Sequence, residues 1–304
     1  ISLVGTQDPA RPDADHPWPA ASTRVRIARN RVDRVGGDGI VVRGSVRALV
    51  RGNVVSRGNL RGSPLIGPAP VCNAGIWAFH ANRTVIAHNE VFGMESHDCD
   101  GTGYDVDYDQ DGTVVQANYG HGNEGGFILL CSDDNPHHRA DVRFNLSVDD
   151  GATLNTVPCP ATEGRVGDLS GIRVFHNTFV AARPRLVGEQ FELPVLVGGG
   201  DLLFADNILV ARQPSSRPFP CGEHCTHNLF AGLPASGDAA VTGDPRFVGG
   251  AGPQGFRLRP GSPAIGAGAA IAGAGTHDYF GDPVAPTIGF ATGPPAGRRG
   301  ARAP

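Results

Sequence analysis

The chain of 304 residues carries 26 cationic and 30 acidic side chains, a formal net charge of −4, and every one of its cations is an arginine. That balance excludes the basic footprint of a nucleic-acid binder, and no run approaches the roughly 20 apolar residues of a membrane-spanning helix. Glycine (44) and proline (25) alternate with short β-branched clusters, and no long helical period occurs, so the reading is all-β, with many short strands joined by turns.

Residues 1–22 contain no amphipathic helix able to cap a fold, and the chain starts at Ile1 without a legible signal peptide. This stretch is expected to be an N-terminal extension, with an upstream segment or a second chain completing that end. From residue 25 a repeat begins. "VRIARNRV", "LVRGNVV", "VIAHNEV", "VVQANYG", "VRFNLSV", "IRVFHNTFV", "LLFADNILV" and "HCTHNLF" each centre on one asparagine: Asn30, Asn53, Asn89, Asn118, Asn145, Asn177, Asn207 and Asn228. Three residues before it stand Ile27, Val50, Ile86, Val115, Val142, Val174, Phe204 and Cys225. Two residues after it stand Val32, Val55, Val91, Gly120, Ser147, Phe179, Leu209 and Phe230. The asparagines are 23, 36, 29, 27, 32, 30 and 21 residues apart, as coils of fixed perimeter with loop insertions would place them. Asparagine suits the corner, because it tolerates the left-handed backbone region and its amide can bond the amide of the next coil.

A second strand in each coil aligns on a glycine: "GIVVRG" (39–44), "GIWAFH" (75–80), "GYDVDY" (103–108), "GFILLC" (126–131) and "GATLNT" (151–156). In that register Ile40, Ile76, Tyr104, Phe127 and Ala152 point inward, followed by Val42, Ala78, Val106, Leu129 and Leu154. The outward row reads Val41, Trp77, Asp105, Ile128 and Thr153, followed by Arg43, Phe79, Asp107, Leu130 and Asn155. A solvated face should be polar throughout, yet here large apolar side chains surround two aspartates.

The stacked valine and isoleucine rungs with an asparagine corner resemble the right-handed parallel β-helix of the pectate-lyase-like superfamily, over about residues 23–230. The expected organisation is an N-terminal extension (1–22), a β-helix domain (23–235), a C-terminal segment (236–292) and a flexible tail (293–304). The segment "GDPRFV…GFRLRPGSPAIGAG…DYFGDPV…TIGF" resembles the ending of many secreted β-helix glycan enzymes, which implies that the chain leaves the stack and packs along it. The run 105–131 resembles secreted bacterial β-helix proteins grouped with glycan-active enzymes, matching at Asp105, Asp107, Tyr108, Asn118, Tyr119, His121, Asn123, Glu124, Gly125, Gly126 and Phe127. That resemblance implies a carbohydrate-active protein without naming one reaction. The histidine–glycine and arginine–lysine signatures of polygalacturonases are missing.

Cys72 and Cys99 fall three and four residues before aligned glycines of neighbouring coils, and a rung spacing of roughly 4.8 Å suits a disulfide. Cys131–Cys159 follow successive strands, and Cys221–Cys225 could close a local loop. Such a framework points to a secreted, extracellular protein.

The aspartates of "GYDVDYDQDG" carry the functional question: Asp105, Asp107, Asp109 and Asp111 stand at alternating positions, which on one strand would line up four like charges on one face. Asp105 and Asp107 would share the outward face with Cα atoms roughly 6.6 Å apart, and Glu124 would stand on the next corner. Asp105, Asp107 and Glu124 are the catalytic candidates. Trp77, Phe79, Arg43, His80, His121, Asp133 and Asp134 would hold a polysaccharide or glycan, since sugar rings offer an apolar face to an indole and hydroxyls to acids and arginine. A carboxylate pair suits glycoside hydrolysis, one acid protonated and one ionised, and like-charge crowding produces that split. No cofactor is required. Calcium remains open, because "DYDQDG" opens like a D-x-D-x-D-G loop with Asp107, Asp109 and Asp111 as ligands, although Asn118 stands where its closing glutamate belongs. A polysaccharide lyase acting on a uronate would need His80, His121, Tyr104 or Arg43 as its base, and Tyr104 is expected to point inward. A non-catalytic, glycan-binding β-helix is the third reading. His88, His176 and His227, each preceding a ladder asparagine, read as surface residues.

Overall fold

A computed structural model describes residues 1–4, 22–61, 72–97, 100–107, 110–132, 139–151, 154–158, 171–181, 202–220 and 222–293. These residues form three parallel sheets wound as one coil. The first sheet stacks Ser2–Val4, Ile40–Val46, Ile76–Asn82, Thr102–Val106, Gly126–Ser132 and Leu154–Pro158. The second runs from Arg26–Ala28 through Leu49–Arg51, Val85–Ala87, Thr113–Gln116 and Ala140–Arg143 to Ile172–Phe175, Leu203–Ala205 and Cys225–Thr226. The third runs from Arg31–Asp33 through Val54–Ser56, Glu90–Phe92, Tyr119–His121 and Leu146–Val148 to Thr178–Ala181, Ile208–Ala211, Leu229–Ala231 and Val241–Thr242. Strands pair with their counterparts one coil away, and parallel crossovers of this kind run right-handed as a rule. This is a right-handed parallel β-helix. Ser2–Val4 is already a rung, with Ser2 opposite Val41, so the first residues belong to the stack.

The interior is the column of side chains that the repeat predicts. Val50, Ile86, Val115, Val142 and Val174 are fully buried in consecutive rungs, continued by Phe204 and Cys225. Val55, Val91, Phe179, Leu209 and Phe230 line the third wall, and Ile40, Ile76, Tyr104, Val42, Ala78 and Val106 the first. Each such burial stabilises the coil by roughly 1.5–3 kcal/mol relative to exposure.

The asparagine ladder is continuous from Asn30 to Asn228. Asn118 Oδ1 accepts the main-chain N–H of Asn89 at 2.9 Å and its Nδ2 at 3.0 Å, and the same two bonds join Asn53 to Asn89, Asn118 to Asn145 and Asn145 to Asn177. The left-handed conformation, however, falls one residue earlier than the asparagine. Arg29, Gly52, His88, Ala117, Phe144, His176, Asp206 and His227 all have φ between 52° and 67°, which frees the asparagine backbone to face the ladder.

Two expected registers are corrected. Tyr104 pairs with Ile128, not Phe127, so Ile128 and Leu130 point into the core and Leu129 takes the outward position beside Asp105. Phe127 still enters the core, against Tyr104 and Phe179 at centroid distances of 5.2 and 5.9 Å. Second, the four aspartates do not alternate along one strand. Asp105 pairs with Trp77 and Val106 with Ala78, but Gln110 pairs with Ala81 and Asp111 with Asn82, which leaves one extra residue between the two segments. That slip breaks the two-residue period on which a common face depends.

The C-terminal segment lies along the stack. Leu258, Ala264 and Ile288 pack on Ile208 and Leu229, Phe290 and Ala291 on Leu146, and Ala274 on Phe175. Asp206 accepts the Ala269 N–H at 2.9 and 3.0 Å through its two oxygens, and Arg143 and Arg173 donate to the carbonyls of Gly273 and Ala272. This strap overturns the surface reading of His176, which is 1% exposed and stacks on Phe144 at 5.0 Å. His88 is exposed, as expected.

Candidate functional site

The first sheet brings together the residues of interest. Val41, Trp77 and Asp105 form one outward column, with Leu129 above Asp105, and Arg43 lies opposite Phe79 one coil apart. Asp105 is thus flanked by an indole and a leucine, and it is only 4% exposed although it faces outward. Its Oδ1 has no hydrogen-bond partner among the described residues. Burial raises the Asp105 carboxyl well above the usual carboxylate range, and the charges of Asp107, Asp100 and Asp38 raise it further. Burial and like charge both favour the protonated form of this acid.

The company of Asp105 differs from expectation. Asp107, partly exposed, remains its strongest electrostatic neighbour. The other two acids are Asp100, from the turn before Thr102–Val106, and Asp38, from the turn before Ile40–Val46. Asp38 Oδ1 accepts the Trp77 Nε1–H at 2.9 Å and the Ala74 main-chain N–H at 2.9 Å. Burial lifts Asp38, against the pull of those two donors, and burial plus the Asp38 charge lifts Asp100 to about 6. Asp38 was missed because its place beside Trp77 depends on a coil 39 residues away. The only sequence signal was an acid immediately before an aligned glycine.

Trp77 and Phe79 stack with centroids 4.7 Å apart, and the Arg43 guanidinium sits 4.9 Å from the Phe79 ring centroid. His80 follows with its ring 5.1 Å from Phe79. Its φ of 46°, opposite Gly44 at 61°, interrupts the alternation of Ile76–Asn82. A non-glycine residue in that region costs of order 1 kcal/mol or more and is held there by its surroundings. Trp77, Phe79, Arg43 and His80 therefore form one platform beside the acids.

Glu124 and His121 are not brought to this group. Glu124 is exposed on the corner before Gly126–Ser132, where its Oε2 accepts the Ser96 N–H at 2.9 Å, and it is not among the charges that raise Asp105. His121 lies on the third sheet, stacked between Phe92 and Tyr119 at 4.6 and 4.5 Å, with Nε2 3.1 Å from Glu90. Asp133 and Asp134 lie outside the described residues.

Of the D-x-D-x-D-G set, Asp111 is engaged elsewhere: Arg139 binds its two oxygens at 2.7 and 2.8 Å, and Asp109 lies outside the described residues. Among the described residues no three acids, histidines or cysteines are arranged around a cation position. Tyr104 points inward, as expected, and donates to the carbonyls of Asn89 and Tyr119. Burial raises its phenol well above the ordinary value, which removes it as a base. Cys72 and Cys225 are disulfide-bonded. Cys99, Cys159, Cys221 and the side chain of Cys131 lie outside the described residues, so the pairings Cys72–Cys99, Cys131–Cys159 and Cys221–Cys225 stand as expectations. Two surface hollows of about 600 and 640 Å³ lie away from the acids, one beside Arg139 and Arg173, the other beside Phe230 and Phe247.

The architecture and its acid-bearing face define a right-handed parallel β-helix protein, and the family model for a right handed beta helix region matches residues 20–146. Among curated proteins, the chain is similar to a lacto-N-biosidase of Bifidobacterium longum subsp. longum, 27% identical over 199 residues, which is 62% of this chain and 11% of that protein. Among solved structures it is similar to a GH136 lacto-N-biosidase from Eubacterium ramulus, 28% identical at a TM-score of 0.47, covering 61% of this chain and 28% of that one. It also superposes on XylC in complex with xylose, at a TM-score of 0.55 and 15% identity, covering 89% and 50% of the two chains, a likeness of fold. The chain thus spans only a small part of the length of the relatives it matches.

Proposed function

We propose that this chain is the β-helix portion of a secreted glycoside hydrolase that cleaves a glycan on the outward face of the first sheet. The single observation that carries the reading is Asp105: a water-excluded acid with an oxygen unpartnered among the described residues, placed next to Trp77 on the neighbouring strand and raised by the charges of other carboxylates. The likeness over 199 residues to a lacto-N-biosidase supports the same chemistry. In this reading Asp105 is the general acid that protonates the departing glycosidic oxygen. Asp107, more exposed, is the ionised partner, acting on water or on the anomeric carbon. Trp77 and Phe79 receive an apolar sugar face, while Arg43 and His80 meet hydroxyls. The proton arrangement comes from the chain's own burial and charge, and the reading needs no cofactor.

The test is hydrolysis of a glycan panel by the full-length protein and its Asp105→Asn and Asp107→Asn variants, with reducing ends and ultraviolet absorbance read together. Reducing ends without an unsaturated product, and a loss of about 10²–10⁴-fold in either variant, are expected. Absorbance from an unsaturated uronate would replace hydrolysis with elimination. An Asp105→Asn protein of wild-type rate would remove the acid assignment.

A further inference from the structure

Asp38 takes two donors on one oxygen, and the two serve different ends. The Ala74 N–H ties the carboxylate to the backbone of the next coil, and the Trp77 Nε1–H ties the indole to the carboxylate. An indole is a donor only, with one N–H, so this bond fixes which edge of the ring faces the sheet and which face is offered outward. Burial raises the Asp38 carboxyl, and the two hydrogen bonds onto one oxygen oppose that rise by favouring its charged form. The ionisable groups facing Asp38 are Asp100 from the turn above, Asp105 from the strand above, and the Ile1 ammonium from the rung below. Asp105 in turn faces Asp107.

We propose that Asp38 is the positioning residue of this site, locking the Trp77 indole through the oxygen it shares with the Ala74 amide and holding a fixed negative charge against Asp100 and Asp105. The inference rests on the hydrolase reading of the same site for its catalytic consequence, but not for its structural one. Asp38 touches neither the reacting bond nor a sugar; it orients the platform, and its charge adds to the burial that raises Asp100 and Asp105.

Asp38→Asn separates the two roles, because an amide oxygen still accepts both N–H groups while the charge is gone. Asp38→Leu removes both. Carboxyl carbon resonances followed through a pH titration of the unliganded protein should show the Asp100 midpoint falling by about one pH unit in Asp38→Asn. The Trp77 indole resonance should stay in place in Asp38→Asn and move in Asp38→Leu. In the wild-type protein, the same indole resonance should likewise hold its place through the midpoint of Asp38, because the oxygen of a protonated carboxyl still accepts both N–H groups. An Asp100 midpoint unmoved in Asp38→Asn, or an indole resonance unmoved in Asp38→Leu, overturns the proposal. On an aryl glycoside that the wild type hydrolyses, the basic limb of kcat/KM, set by Asp105, should move down in Asp38→Asn. An unmoved limb in an active variant also overturns it. A shifted midpoint in a protein that hydrolyses no glycoside leaves the positioning role standing and fails the hydrolase reading alone.

Discussion

Asn118 sits in the middle of the ladder and is fully buried, so its truncation measures what the ladder contributes. In Asn118→Ala, the loss of Oδ1 strips a partner from the main-chain N–H of Asn89 and from one Nδ2 hydrogen of Asn89. The loss of Nδ2 strips the Ile86 carbonyl, bonded at 2.9 Å. Three buried polar groups are left short of a partner at about 1–3 kcal/mol each, of which the Asn89 side chain keeps its bond to the Val50 carbonyl; the expected cost is about 3–6 kcal/mol. Asn30 is the natural control. It heads the ladder, is only half-buried, and leaves Asn53 Oδ1 with the Asn30 main-chain N–H when its side chain is removed. Asn30→Ala should cost under about 1 kcal/mol. Urea unfolding of both variants followed by far-ultraviolet circular dichroism gives the comparison, and hydrogen exchange at Asn89 locates the loss. Equal costs for the two positions, or an Asn118→Ala cost below about 1 kcal/mol, would refute the claim that the buried part of the ladder stabilises the coil.

Asp105→Asn should lower turnover by about 10²–10⁴-fold yet raise the urea midpoint at neutral pH, because burial and like charge disfavour the ionised acid and a neutral amide escapes that cost; a lower midpoint would contradict the burial argument. Asp150, buried beside Asn123 and Ser147, is lifted to about 7 by burial. A carboxyl raised in the folded state adds stability that is full below its unfolded value and is lost as pH rises through about 7, so stability should fall between about pH 4 and about pH 7 and fall less in Asp150→Asn. Asp206, also lifted to about 7, acts with the same sign, whereas His176, lowered to about 4, contributes stability that is lost as pH falls from about 6.5 toward that value. Asp206→Ala should free the strap by removing the acceptor for Ala269, at a cost of about 1–3 kcal/mol, read as faster hydrogen exchange over residues 264–292 with the asparagine ladder unaffected.

The site was less legible than the coil. Trp77, Asp105 and the Arg43–Phe79 pair could be placed from the glycine register, because no slip separates these strands. Ile128 and Leu130 were turned the wrong way because "GFILLC" is apolar at every position and carries no alternation from which to choose a face. The four aspartates suggested one face only while the strand was taken as uninterrupted, and the extra residue before Gln110 sends Asp111 to Arg139.

By itself the amino-acid sequence determined the coil: an asparagine at each corner, a β-branched or apolar residue three positions before it, and a wall of buried side chains that follows from both. Those relations hold within about eight residues of chain, and every coil obeys them alike. Tertiary structure alone decided which outward residues meet. Asp38 reaches Trp77, Glu124 stays at its corner and the strap closes over His176 because lateral neighbours on a solenoid are set by insertion lengths and single-residue slips between coils, and a pattern local to one coil contains neither.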